Sequence, residues 1–498
     1  MLRGGRGRQA VARSAPIIAF AAYAMAALAS VAAEVAGNGL VGGGSGSGTM
    51  EGALIQAYHN NPQLNGQRAA TRAADENVPT ALSGYRPRVS GTASSTENYL
   101  ETLVKTNAAI GQPLPTGVPA AYSKTQGATV VNAAGVTVTQ TLLNGFQTGN
   151  RTRQAEGQVF AARETLRTTE QTVLLNAATA YMNLLQTAAI LDLQRSNVNV
   201  LEVTLRQTRD RFTAGEVTRT DVAQAESRLS GGRSQLSLAE SNFITAKAQY
   251  QQVIGVPAPA RLAPAAPVDR LSPRTLDGAI ARGRTEHPTI TTAMYNVDVA
   301  VHQVKIAEGA LAPSLLAVGS VQKSYGSLQS LSVLETLSAS IAAQFTVPIY
   351  QGGAEYAAIR QSKEILGQRR MDLDTARDQV QSSVVQAWGQ LEAAKAQINA
   401  TQSQVTAAEV ALNGVREEAR VGQRTTLDVL NAQQDLVNAR VALVTAQRDR
   451  VVASYTLLAA AGSLSPQILG LNIPVYDPVV HYQQVRDAWG GVRTPDGR

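Results

Sequence analysis

The chain has 498 residues, of which 44% are hydrophobic but only 4% aromatic, and it contains no cysteine. The lack of cysteine excludes disulfides, cysteine-based zinc sites, a cysteine nucleophile and a lipid anchor on an N-terminal cysteine. The low aromatic content suits an extended or coiled-coil-like architecture better than a wide globular core.

The N-terminal residues have the pattern of a secretory signal. Four arginines precede an uncharged segment from Ser14 to Ala33 that ends in small residues. This pattern predicts a signal peptide over residues 1–33, with an uncleaved membrane anchor as the alternative, and a flexible Gly/Ser linker over residues 34–48. Removing the signal lowers the net charge from +7 to +3, because it contains four arginines and no acids. That charge does not indicate a nucleic-acid-binding protein.

The rest of the sequence contains one unit twice. TMEGALIQAYHNNP, which begins at Thr49, resembles TLDGAIARGRTEHP, which begins 226 residues later at Thr275. From Gly145 onward the offset is 207, so the first copy carries 19 extra residues, interpreted as an enlarged loop near residues 111–120. Such self-similarity indicates tandem structural repeats. The predicted segments are repeat 1 over residues 49–270, repeat 2 over residues 271–463 and a C-terminal tail over residues 464–498.

Each copy begins with two predicted helices and continues with two predicted strands. Residues 49–85 and 275–311 indicate a short helix followed by a longer one. Apolar and polar residues then alternate around Val136 and between Leu337 and Val347, which is typical of half-buried strands. An earlier strand, near Val89 or Leu315, completes the pair in each copy.

Long helices follow the strands. After Gly145 and Gly352 the pattern is helical for about 65 residues, which corresponds to roughly 100 Å of helix. An apolar stripe with heptad-like spacing favours packed helices, although a coiled-coil rod has the same periodicity. The stripe in the first copy comprises Val173, Ala177, Ala180, Leu184, Leu191, Val198, Leu201 and Leu205. In the second copy it comprises Val380, Val384, Ala387, Leu391, Ile398, Val405, Ala408 and Leu412.

Four strands per chain constrain any membrane-spanning arrangement. Four strands cannot close a barrel, and open sheet edges in lipid leave backbone groups unpaired. If these strands cross a membrane, several chains must therefore share one barrel. The uncharged run over residues 451–476 is interrupted by glycine and proline, so it does not predict a continuous membrane helix.

Two similar turns separate the long helices, AGEVTRTDVAQA in repeat 1 and VGQRTTLDVLNA in repeat 2. A glycine in each turn stands where a helix should end in a left-handed residue, and a threonine and an aspartate three positions apart fit a capping box. The residues concerned are Gly215, Thr218 and Asp221 in the first turn, and Gly422, Thr425 and Asp428 in the second. The simplest interpretation of the two aspartates is that they only cap helices.

The sequence VGQRTTLDVLNAQQDLVNAR resembles the signature of the TolC family of outer-membrane export channels. LLNGF and PIYQGG resemble the strand-to-helix junctions of that family, and the resemblance extends from about residue 49 to residue 463. It implies an α+β membrane protein that forms a trimeric 12-stranded transmembrane β-barrel, with four strands from each chain. A long periplasmic α-helical barrel would continue this β-barrel.

The resemblance also implies a function, a location and partners. The chain would be a passive exit duct for small molecules or proteins in a tripartite efflux or type I secretion system. It would lie in the Gram-negative outer membrane as a homotrimer in contact with lipid. A periplasmic adaptor (membrane fusion protein) and an inner-membrane RND or ABC transporter would dock to it. The alternative is a non-conducting periplasmic coiled-coil adaptor or scaffold.

Within the resemblance, the two turns lie at the periplasmic tip of the tunnel and form its gate. An arginine at the position of Arg424 bonds there to residues of the adjacent hairpin, which by position are Asp221 and Thr220. Asp428 would face the constricted pore. The residues expected to shape the turns and contact the adaptor are Gly215, Gly422, Thr218 and Thr425. Asn431 and Ala419 depart from the family pattern, which has an acid and a tyrosine at these positions.

No motif of an enzyme is present in the sequence. There is no Walker loop, GxSxG or HExxH sequence, and the four histidines have no ligand spacing. We therefore expect no catalytic residues, no cofactor and no metal site.

Overall fold

The computed structural model describes residues 48–105, 122–326, 335–495 and 497. The predicted signal peptide, nearly all of the predicted linker and the enlarged loop near residues 111–120 lie outside these residues. Repeat 1 consists of α1 (Met50–Asn60), α2 (Pro62–Asp75), α3 (Asn77–Leu82), β1 (Arg88–Lys105), β2 (Tyr122–Asn144), α4 (Gln147–Thr213) and α5 (Arg219–Ile254). Repeat 2 consists of α6 (Leu276–Glu286), α7 (Pro288–Gly309), β3 (Ser314–Tyr325), β4 (Glu335–Thr346), α8 (Ala354–Arg420) and α9 (Thr426–Ala460), and α10 (Pro478–Val485) follows.

The two repeats match element by element. Helices α4 and α8 each have 67 residues and begin and end 207 positions apart. Helices α1 and α6 each have 11 residues and are 226 positions apart. The prediction of tandem structural repeats is thus confirmed.

The second helix of repeat 1 differs from the expectation of one longer helix. It is broken at Glu76 into α2 and α3, whereas α7 continues without interruption. Pro79 explains the break, because its ring clashes with the carbonyl of the residue four positions earlier, which is Asp75 at the end of α2. Lys305 occupies the matching place in α7 and can continue a helix.

The four strands form one antiparallel sheet in the order β1-β2-β3-β4. The strand pairs predicted for each repeat are therefore present, and β2 and β3 join the repeats with Val136 opposite Val321. The side chains of β4 are exposed along the whole strand, including Ile341, which is 94% exposed. The expected half-burial is thus not reached for β4 within one chain, because none of the residues that the structure describes forms a layer over this strand.

The predicted apolar stripe is the packed face of the long helices. On α4 all eight predicted residues are buried. On α8 six of the eight are buried, while Ile398 and Ala408 are half-buried. The largest core cluster lies where α1 and the middle of α4 meet the ends of α5 and α9, and it includes Tyr58, Tyr181 and Tyr250.

Among the described residues, α4 is the one helix that is long and apolar enough to cross a membrane by length and composition. Its side chains Leu174, Ala177 and Ala178 belong to the largest core cluster and are fully buried. Packing against neighbouring helices therefore accounts for the apolar character of α4.

The C-terminal tail packs back onto repeat 1. The His481 Nδ1 atom lies 2.9 Å from Asp75 Oδ2, and both side chains are buried. Burial raises the pKa of Asp75, whereas the hydrogen bond to His481 opposes this shift. Further along, the Arg86 guanidinium stacks on the Trp489 ring at 4.7 Å. His481 thus packs the tail against the end of α2.

Candidate functional site

The two turns have the same backbone conformation. Gly215 has φ 77° and Gly422 has φ 80°, both in the left-handed region that glycine adopts without steric cost. The Glu216 N–H donates to the Arg211 carbonyl at 2.9 Å, and the second turn forms the equivalent bond at the same distance. These bonds complete Schellman motifs, which satisfy carbonyl groups at the ends of α4 and α8.

The helices that leave the turns begin with complete capping boxes. Asp221 Oδ2 accepts from the Thr218 backbone N–H at 2.9 Å and from its hydroxyl at 2.7 Å. Asp428 Oδ2 accepts from the Thr425 N–H and hydroxyl at 3.0 and 2.8 Å. These hydrogen bonds hold the pKa of both carboxyl groups below the usual value. The capping role considered from the sequence is therefore present.

Arg424 is bound within its own turn. Its Nε donates to Glu418 Oε2 at 2.8 Å, and both side chains are about half exposed. This hydrogen bond raises the pKa of the Arg424 guanidinium, and Asp428 contributes a smaller effect in the same direction. Each partner is unfavourably placed in its helix, because the dipole disfavours an acid at a C-terminus and a cation at an N-terminus. Their pairing across the turn offsets both effects.

Sequence reasoning did not identify Glu418, although a signal was available. An acid in the last turn of α8 and a cation immediately before α9 both oppose the helix dipole. Two such residues on either side of one tight turn favour mutual pairing.

The ends of the two hairpins enclose a cleft with a volume of about 730 Å³. Arg424 and Asp221 both line it, together with Thr218, Thr425 and Gly422. Thr220, Asp428 and Gly215 are not among its lining residues. Among the described residues, Arg424 forms no hydrogen bond or ion pair with Asp221 or Thr220. The fold therefore brings the predicted arginine and one predicted acceptor to the same cleft without joining them.

A hydrogen bond that the sequence did not predict joins the two hairpins near their ends. The Arg228 Nη2 atom on α5 donates to Asn431 Oδ1 on α9 at 2.6 Å. Asn431 is the position where the family pattern has an acid. The neutral amide therefore has a specific partner here, and the departure from the pattern coincides with a contact between the repeats.

The described part of the chain contains no group of three or more His, Cys, Asp or Glu side chains arranged to hold a metal ion. The chemistry of the site rests on helix capping, charge pairing and hydrogen bonds between hairpins. These interactions position the helix ends.

A four-stranded sheet that continues into two long helical hairpins with adjoining ends is a fold that this chain shares with solved outer-membrane channels. Comparison with known proteins gives the family. The chain belongs to the outer membrane efflux protein family, whose sequence profile matches residues 53–256 and 280–463.

Two relatives and one solved structure illustrate the similarity. The outer membrane efflux protein BepC of Brucella suis is 42% identical over 95% of this chain and 98% of the relative. The outer membrane protein TolC of Escherichia coli is 27% identical over 63% of this chain and 66% of the relative. The Campylobacter jejuni CmeC outer membrane channel superposes with a TM-score of 0.69 at 17% identity, covering 88% of this chain and 89% of that chain.

The family confirms the main expectations from the sequence. The chain is a passive outer-membrane channel with a periplasmic extension and not an enzyme, and the adaptor or scaffold alternative is not supported. TolC-family channels are homotrimers that work with periplasmic adaptors and inner-membrane RND or ABC transporters. Three chains of four strands supply the twelve strands of one barrel.

Proposed function

We propose that the paired hairpin ends close the periplasmic entrance of the duct. We also propose that the partner to which Arg424 is bound determines whether the entrance is closed. In the closed trimer Arg424 bonds to Asp221 and Thr220 of the adjacent hairpin. In the released state it pairs with Glu418 of its own turn. The observation that carries this proposal is the cleft that Arg424 and Asp221 line together.

The geometry of Asp221 is compatible with a second partner. Both bonds of its capping box use Oδ2, so Oδ1 lies outside the box. A carboxylate has about four acceptor positions, so it can cap a helix and accept from an arginine at the same time. Asp221 therefore need not release α5 in order to hold Arg424.

The energy of the exchange is small for each subunit. The Arg424–Glu418 pair is half exposed and screened by water, so Glu418 does not hold the arginine strongly. Binding of an adaptor or transporter at the hairpin ends needs only a differential affinity of about 1–3 kcal/mol to shift such an equilibrium. Three symmetric copies of the exchange make the entrance a shared switch that partners open, while the duct itself supplies no energy.

Single-channel conductance tests the proposal. In planar bilayers we expect Arg424→Ser to conduct severalfold more than the wild type, because the closed state loses its arginine. Arg420→Ser is the matched control, since Arg420 lines the same cleft but pairs with Glu417 in its own helix. The gate assignment fails if Arg424→Ser conducts no better than the wild type or if Arg420→Ser increases conductance equally.

A further inference from the structure

We infer that the C-terminal tail binds the phospholipid headgroups of the periplasmic leaflet of the outer membrane. The surface concerned consists of the exposed side chains Trp489, Val492 and Arg493, and we call it the tail anchor. It lies beyond the part of the chain that the family profile matches, which ends at residue 463. The tail anchor is independent of the proposed gate, because the gate residues lie at the opposite ends of the long helices.

The tail reaches the junction between the strands and the long helices through a series of contacts with repeat 1. The Tyr476 N–H donates to the Tyr58 hydroxyl on α1 at 3.1 Å. Further along the tail, His481 on α10 pairs with Asp75 at the end of α2. Successive tail residues thus contact successive elements of repeat 1, and the tail runs along these helices toward the start of β1.

Arg86 holds Trp489 at this junction. Arg86 lies two residues before β1, and its guanidinium donates to the Ala488 carbonyl. The same guanidinium stacks over the Trp489 ring at 4.7 Å. One face of the indole is therefore covered, while 75% of the residue remains exposed. A cation–π contact of this kind orients the ring without removing it from the surface.

Two other aromatic side chains are exposed at the same junction. Tyr85 is 55% exposed, and its backbone carbonyl accepts from the Gln140 side chain of β2 at 2.9 Å. Phe146 stands between β2 and α4, is 80% exposed and has φ 60°. Repeat 2 has Gly353 at the matching place, and glycine adopts this backbone without strain. A bulky exposed residue held in a strained conformation favours a contact outside the chain.

The position of these side chains indicates their partner. The strands belong to the outer-membrane barrel and the helices extend into the periplasm, so the junction lies at the periplasmic face of the membrane. Tryptophan and tyrosine are enriched at such interfaces, because their rings are apolar and carry a polar tip. Arg88 and Arg493 are exposed and form no ion pair with any residue that the structure describes. Lipid phosphates are suitable partners for both guanidinium groups.

The chain has two tryptophans, so Trp489 can serve as a natural fluorescent reporter. Trp388→Phe leaves Trp489 as the single tryptophan. Trp489→Phe is the matched control, since about 50 Å of helix separates Trp388 from the start of α8. Both full-length variants are reconstituted in vesicles of phosphatidylethanolamine and phosphatidylglycerol, with or without a nitroxide on the lipid headgroup. We expect the nitroxide to reduce Trp489 fluorescence severalfold and to leave Trp388 fluorescence unchanged.

An equal loss of fluorescence for both tryptophans, or a loss for neither, would overturn the inference. Iodide dissolved in the buffer distinguishes the ways in which it can fail. Strong quenching of Trp489 by iodide without quenching by the nitroxide would mean that the tail lies in water. If neither reagent quenches Trp489, a neighbouring subunit covers the ring and lipid is not its partner.

The role of Arg86 is tested in the Trp388→Phe background. Arg86→Gln removes the cation that stacks on the indole, so the Trp489 ring should be held less firmly and the nitroxide should quench it less. Arg151→Gln is the matched control, because Arg151 lies near the start of α4 but bonds to Gln147 in its own helix. Equal quenching in these two variants would contradict the role assigned to Arg86.

Discussion

The two hairpin turns have the same backbone but opposite electrostatics. In the first turn Arg211 Nε pairs with Glu216 Oε2 at 3.0 Å, and Arg211 lies at the C-terminal end of α4, where the helix dipole favours a cation. In the second turn Glu418 occupies the position of Arg211, and Arg424 precedes α9. Glu418 and Arg424 both oppose their helix dipoles and are balanced mainly by each other, with a smaller contribution from Asp428 to Arg424.

This difference assigns different roles to the two turns. The first turn keeps its cation in place even without the partner acid, because the dipole of α4 still favours it. The second turn holds its arginine through one half-exposed contact. In the proposed gate, the second turn is therefore the one that exchanges its arginine with another hairpin, while the two turns keep the same backbone conformation.

The largest expected effect tests whether the two turns share one backbone conformation. Gly215→Val and Gly422→Val each force a β-branched residue into the left-handed region, which costs roughly 1–2 kcal/mol. Nothing lies within 4 Å of an added Cβ at either position, so the cost is backbone strain and not a clash. Hydrogen exchange at the hairpin ends should accelerate about equally in the two variants. A marked difference between the exchange rates of the two variants would mean that the turns do not share one backbone conformation.

The features that the two repeats share could be predicted from the sequence because they depend on local residues. Helix caps, left-handed glycines and the apolar stripe of α4 depend on residues within one or two helical turns, so spacing alone identifies them. Pro79 is an equally local signal, but its effect was not anticipated, and one longer helix was expected there. The periodicity of β4 was recognised correctly, but both faces of the strand are exposed in one chain, and the periodicity does not specify what covers them.

Contacts between elements that are far apart in the sequence could not be predicted in this way. Asp75 and His481 are separated by 406 positions, and nothing in the spacing of either residue indicates the other. The Arg228–Asn431 bond likewise depends on how two hairpins lie side by side. Glu418 is close to Arg424 in sequence, but its role depends on the direction in which two side chains leave a tight turn.

A smaller effect sharpens the contrast between the turns. Glu418→Gln removes the charge that keeps Arg424 in its own turn, so the arginine should spend more time with the adjacent hairpin. The shift in the closed population should be small, because a solvent-exposed ion pair is screened by water. Single-channel recordings should show longer closed periods for this variant. The matched variant Glu216→Gln in the first turn should leave closed periods unchanged, and an equal effect of both variants would contradict the proposed difference.

The smallest effect concerns pH and should be common to both turns. Capping bonds lower the pKa of Asp221 and Asp428 below the usual range of an aspartate. A carboxyl group with a lowered pKa in the folded state contributes stability above its unfolded pKa and loses it as the pH falls through the folded value. The hairpin ends should therefore behave alike from pH 8 to about pH 5 and loosen together below about pH 4.

Amide exchange at the start of α5 and α9, corrected for the intrinsic pH dependence of exchange, measures this loosening. Asp221→Asn retains a side-chain oxygen that can cap α5 but cannot be protonated in this range. It should remove the acid response of the first turn and leave that of the second turn intact. If the first turn still loosens in this variant, the response arises elsewhere in the helical hairpins and the capping boxes are not its origin.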